Sequence, residues 1–163
     1  MANEKKLKQK EITCQDVADY FLAFANETED PITNLKLQKL VYYAQAWHLA
    51  NYSKPLFDAD FEAWVHGPVI PSLYFSYQKY GPSLIESDFK MEDVKKRFTP
   101  EAAKFLREVA KIYMPYGAYH LERMTHQEDP WNNARGHCEP DEKCESIIPK
   151  DSMKKYYGEK IKI

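Results

Sequence analysis

A chain of 163 residues is long enough for one domain with a real core and too short to expect two. A hydrophobic fraction of 44% and an aromatic fraction of 14% exclude a disordered chain, and a net charge of −2 gives no global pull towards nucleic acid. No apolar run approaches the roughly 18 residues of a membrane span, and no secretory leader precedes the three cysteines, so the expectation is a cytoplasmic protein with reduced thiols.

Met1 to Glu11 is charged and lacks apolar periodicity, so residues 1–11 are expected as a flexible tail ahead of a single domain over 12–158, with a second tail at 159–163. Thr13 offers a helix N-cap with Asp16 three residues on, and Val17, Phe21, Leu22 and Ala25 follow as a buried face. Thr33 is the expected N-cap of a second helix, running to about Asn51. Its Leu37, Leu40, Val41, Ala44, Trp47 and His48 share one face, while Lys36, Lys39 and Tyr43 lie towards the other side.

Phe61 to Val65 reads as a short strand by its aromatic and β-branched content, and His66-Gly67-Pro68 as an irregular break. Pro71 starts a helix with Ile70, Leu73, Tyr74, Tyr77 and Tyr80 on its face, stopped by Gly81-Pro82. Ser83 to Phe98 shows no periodicity. Thr99-Pro100-Glu101 restarts a helix whose buried face holds Phe105, Leu106, Val109, Ile112 and Tyr113. Short helices follow at Ala118 to Thr125 and Asp129 to Arg135. After a loop from Gly136 to Glu145 come a short strand near Ile147 and a terminal helix with Met153, Tyr156 and Tyr157. The expected fold is mainly α: a compact helical domain of five to seven helices with a small two- or three-stranded β element.

Reactive chemistry has little foothold. His137-Cys138 and Cys144 are soft ligands, but the two close pairs of a structural zinc site are missing, so no metal is expected. Cys14 fits its helix as a small apolar residue, and neither glycine-rich phosphate-binding pattern occurs, so no cofactor is expected either. What remains is recognition. Twelve tyrosines and three tryptophans are residue types that dominate interface hot spots, although they also fill cores.

Four ordered motifs carry a resemblance. They are Leu35 to His48 (LKLQKLVYYAQAWH), Ala63 to Val69 (AWVHGPV), Thr125 to Arg135 (THQEDPWNNAR), and Ile148-Pro149 with Tyr156-Tyr157. Together they resemble the Panacea domain, also described as the SocA-like or GepA-type family of phage-associated antitoxins. The resemblance implies a non-enzymatic, mainly helical antitoxin that neutralises a cognate protein toxin encoded nearby by direct binding. One branch of the family also implies a proteolytic adaptor that delivers the toxin to an AAA+ protease such as ClpXP. On this reading Lys39, Tyr42, Trp64, His66 and Trp131 lie at the partner-binding surface or support it. The competing readings are a DNA-binding regulator of its own operon and a metal-dependent hydrolase using His66, His126 and His137.

Overall fold

The computed structural model describes residues 11–161. The N-terminal tail expected over 1–11 lies outside the described residues apart from Glu11. The C-terminal tail expected over 159–163 is described only to Ile161, which is still helical.

Three helix starts follow from local capping chemistry. In α1 (Cys14–Glu27) the Thr13 hydroxyl accepts from Asp16 N at 3.1 Å while Thr13 N donates back to Asp16 Oδ2 at 3.0 Å, a reciprocal capping box. The Thr33 hydroxyl caps α2 (Asn34–Tyr52), and Thr99 followed by Pro100 opens α5 (Pro100–Tyr113). On α5, Leu106, Val109 and Tyr113 are buried as expected, but Ile112 is exposed.

The helix α2 departs from the single apolar face read in its sequence. It is buried on nearly every side, packed against α1, α5 and other elements introduced below, so Lys36, Lys39 and Tyr43 are inside as well as Leu37 and Val41. A helix can be buried all round only if its polar side chains find partners. Lys36 Nζ donates to Met114 O at 2.6 Å, at the carbonyl end of α5 where a cation also suits the helix dipole. Gln38 donates to Asn34 Oδ1 at 3.0 Å and accepts from Ile70 N at 3.2 Å. Gln45 donates to Phe57 O at 2.8 Å and accepts from Leu56 N at 2.7 Å. The Gln45 bonds pin the loop before the sheet onto the central helix, and the Gln38 bond pins the chain just after it.

The sheet is one hairpin, β1 (Glu62–Trp64) antiparallel to β2 (Gly67–Val69), in the register Glu62–Val69, Ala63–Pro68 and Trp64–Gly67. Gly67 and Pro68, expected in an irregular break, are therefore strand residues. Proline is tolerated here because Ala63 turns its N–H away from β2, to Ser146 O at 2.8 Å, so the Ala63–Pro68 pair needs no donor from Pro68. Ile147 bridges to Glu62 on the outer edge, which adds a third, minimal strand contact.

After the hairpin come α3 (Pro71–Ser76) and a 3-10 turn over Gln78–Tyr80. The aperiodic segment that follows is tied to the core backbone to backbone, Ile85 N donating to Ile32 O at 2.8 Å. It then forms α4 (Met91–Val94), a helix that sequence periodicity did not reveal, and a 3-10 turn whose Arg97 pairs with Asp16 and Asp19 on α1. The chain closes with α6 (Ala118–His126), α7 (Asp129–Arg135) and α8 (Lys150–Ile161), the last packed along α2. The described residues thus hold eight α-helices and one small sheet, the mainly α architecture expected. None of these helices is long and apolar enough to cross a membrane.

Candidate partner-binding groove

The motif residues converge on the hairpin. Gly67 has φ +107°, a conformation that L side chains rarely adopt, and a Cβ there would overlap Lys39 Cε. Glycine is thus required twice, by the backbone and by the lysine stem laid across it. Lys39 is fully buried, and Nζ donates to Pro68 O at 3.2 Å. Burial pushes its amine down to about 7, with the Glu122 carboxylate acting in the opposite sense.

From the other side, α7 holds the hairpin with two donors. Trp131 Nε1 donates to Trp64 O at 2.8 Å, and Arg135 donates to Ala63 O, also at 2.8 Å. Trp131 is buried, with the His126 ring stacked on it at 3.9 Å. His126 Nε2 is buried without a partner among the described residues, and burial lowers the pKa of that ring. Two segments of the resemblance are therefore a clamp and the strand it grips.

The clamp leaves the outer face of the hairpin open. Trp64 is half-buried, with Nε1 bonded to Glu62 Oε1 at 2.9 Å and its ring edge-on to Tyr74 at 5.1 Å. Phe75 lies 6.3 Å from the same indole. Beside them runs a groove of about 820 Å³, whose lining includes Trp64, His66, Tyr74, Phe75 and Tyr119. Phe75 is 57% exposed and Tyr119 is 74% exposed, unusual positions for large aromatic side chains. The exposed His66 ring also lines it, its Nδ1 2.7 Å from Glu122 Oε1.

Of the five residues expected at a partner surface, Trp64 and His66 line this groove. Trp131 and Lys39 lie beneath it, holding the hairpin from inside. Tyr42 has no exposed surface and sits in a separate buried cluster. There Tyr43 and Tyr157 donate to Glu128 Oε1 at 2.7 and 2.8 Å, and the Tyr42 hydroxyl is 3.2 Å from that of Tyr157. Burial raises the Glu128 carboxyl above its ordinary range, while the two tyrosine hydrogen bonds oppose the shift. Phe75 and Tyr119 were not anticipated. Phe75 carried one signal, since it falls off the face read for its helix; Tyr119 carried none.

The loop beyond α7 forms another wall through Asp141, Lys143, Cys144 and Glu145. Its cysteines were expected as reduced thiols. Instead Cys138 and Cys144 are joined in a disulfide, because the loop curls round Arg135 and brings their Cα atoms to 6.2 Å. Cys14 is free. Among the described residues no three His, Cys, Asp or Glu side chains are placed to hold a metal ion.

The contacts described are those of a helical domain built to display one clamped hairpin. The chain belongs to the SocA-like antitoxin family, the Panacea domain, whose model matches residues 37–132, more than half its length. It is similar to antitoxin SocA of Caulobacter vibrioides, with 39% identity over 74 residues, 45% of this chain. The chain covers only 39% of that relative's own length. No solved structure matches.

Proposed function

We propose that the protein neutralises a toxin encoded beside it by direct contact, and that the contact surface is the groove between the hairpin, α3 and α6. The observation that carries this reading is the pair of exposed aromatics, Phe75 and Tyr119, beside half-buried Trp64 on the groove. Aromatic side chains left in water around a concave site are what a protein interface buries at its centre. Trp131 and Lys39 contribute by holding the hairpin in shape, and the role is stoichiometric, not catalytic. The setting proposed is the cytoplasm.

Expression of the adjacent open reading frame tests the reading. Alone it should arrest growth, and with this protein growth should return; a neighbour that is harmless alone counts against it. Delivery of the captured toxin to an AAA+ protease such as ClpXP is the finer part of the proposal. It predicts that the toxin's half-life shortens with this protein present only in cells that retain the protease. Regulation of its own operon by DNA binding is less favoured, because Lys36 and Lys39 on α2 are buried and leave that helix no basic face to track a phosphate backbone.

A further inference from the structure

We infer that the loop from Gly136 to Glu145 is the wall that selects the partner, and that it selects an apolar segment flanked by basic residues. The inference rests on the reading of the groove as a toxin-binding site. Its first support is position. Trp64, Phe75 and Tyr119 lie within the stretch that the family model matches, residues 37–132, whereas Asp141, Lys143 and Glu145 lie beyond it. The groove thus combines one face built from the family segment with one face that is not. Side-chain changes at Asp141 or Glu145 spare the Glu139 and Glu142 carbonyls through which the loop holds Arg135 of the clamp.

The second support is order. Arg135, already bonded to the hairpin, donates to Glu139 O at 2.6 Å and to Glu142 O at 2.7 Å, so the loop is wrapped round its guanidinium. Glu139 N donates to Glu142 Oε2 at 2.9 Å, and Cys138 N donates to Arg135 O at 2.6 Å. A wall shaped before binding loses little conformational freedom on contact, so its charges act from fixed positions.

The third support is charge. Of the charged residues in this loop, Asp141, Lys143 and Glu145 line the groove, and Lys143 is paired with Glu145 at 3.1 Å, while Glu139 and Glu142 stand just outside the lining. Asp141 lines the groove, exposed and without an ion-pair partner among the described residues. An acidic wall beside an aromatic cleft attracts a segment carrying Lys or Arg next to its apolar anchor. It repels one with acidic flanks, since like charges brought together at an interface are costly.

The double variant Asp141→Lys with Glu145→Lys tests this, using the purified toxin defined by the growth assay. Both side chains are exposed, so the variant should melt with the wild type. Its affinity should fall about 10-fold at about 50 mM salt, and the gap should close at about 500 mM, where surface charges are screened. Phe75→Asp, run in parallel, should bind weakly at both salt concentrations. Unchanged or tighter binding by the charge variant, with Phe75→Asp still weakened, overturns the inference and leaves the groove reading standing. Full binding by Phe75→Asp overturns both.

Discussion

The indole N–H of Trp131 donates to the backbone carbonyl of Trp64 at 2.8 Å, joining two tryptophans 67 residues apart in sequence. One of them is buried and the other half-exposed on the groove, so the bond carries the order of the core to the candidate surface. Trp131→Phe keeps most of the ring packing and removes the donor. The Trp64 carbonyl then loses its partner, which should cost about 1–3 kcal/mol in urea unfolding. A variant as stable as the wild type would show that this bond does not hold the hairpin.

Lys39 gives the domain a stability that depends on pH in a defined direction. Its folded amine is lowered from 10.5 to about 7, chiefly by burial. Below that value folded and unfolded chains both hold the proton. Between it and the ordinary value only the unfolded chain does, so stability rises with pH through this window. Lys39→Met fills the same space without a titrating group. From about pH 7 to about pH 9 the wild type should gain on the order of 1–2 kcal/mol relative to the variant. Parallel pH profiles for the two proteins would contradict the assignment.

Glu128 works in the opposite sense. Its folded carboxyl is raised, with burial the largest cause, so the folded chain keeps a proton that the unfolded chain has released. Stability therefore falls as pH rises through the window just above the ordinary carboxyl value of 4.5, and the deficit persists at neutral pH. Glu128→Gln retains an oxygen acceptor for Tyr43 and Tyr157 without the desolvated charge. At neutral pH it should be as stable as the wild type or up to about 1 kcal/mol more stable. Glu128→Leu leaves the Tyr43 hydroxyl without its acceptor and Tyr157 with the Tyr42 hydroxyl alone, and should lose roughly 1–3 kcal/mol. Equal losses in both variants would mean that the charge itself is needed.

Helix starts were legible wherever one side chain decides the local chemistry, as at Thr13, Thr33 and Thr99. The burial of Lys36 and Lys39 was not, because their acceptors, Met114 and Pro68, lie 78 and 29 residues away. The strand character of Gly67-Pro68 was hidden for a related reason. Pro68 is acceptable there only because Ala63 spends its N–H on Ser146, a contact that no local pattern announces. Within the candidate site, His66 stood in the irregular break and Trp64 just ahead of it, but Phe75 and Tyr119 come from separate helices that only the fold brings to one groove. The segment from Gly136 to Glu145 reads only as a loop in the sequence. Its place beside the groove depends on the guanidinium it encircles.

Phe75 is exposed on the groove beside the Trp64 indole, which makes it a direct probe of the proposed interface. Isothermal titration of the cognate toxin with wild type and Phe75→Asp tests the central claim most directly. The account predicts an unchanged melting temperature and an affinity at least ~30-fold weaker, the loss of a central hot spot. A folded Phe75→Asp protein that binds the toxin as tightly as the wild type would contradict it.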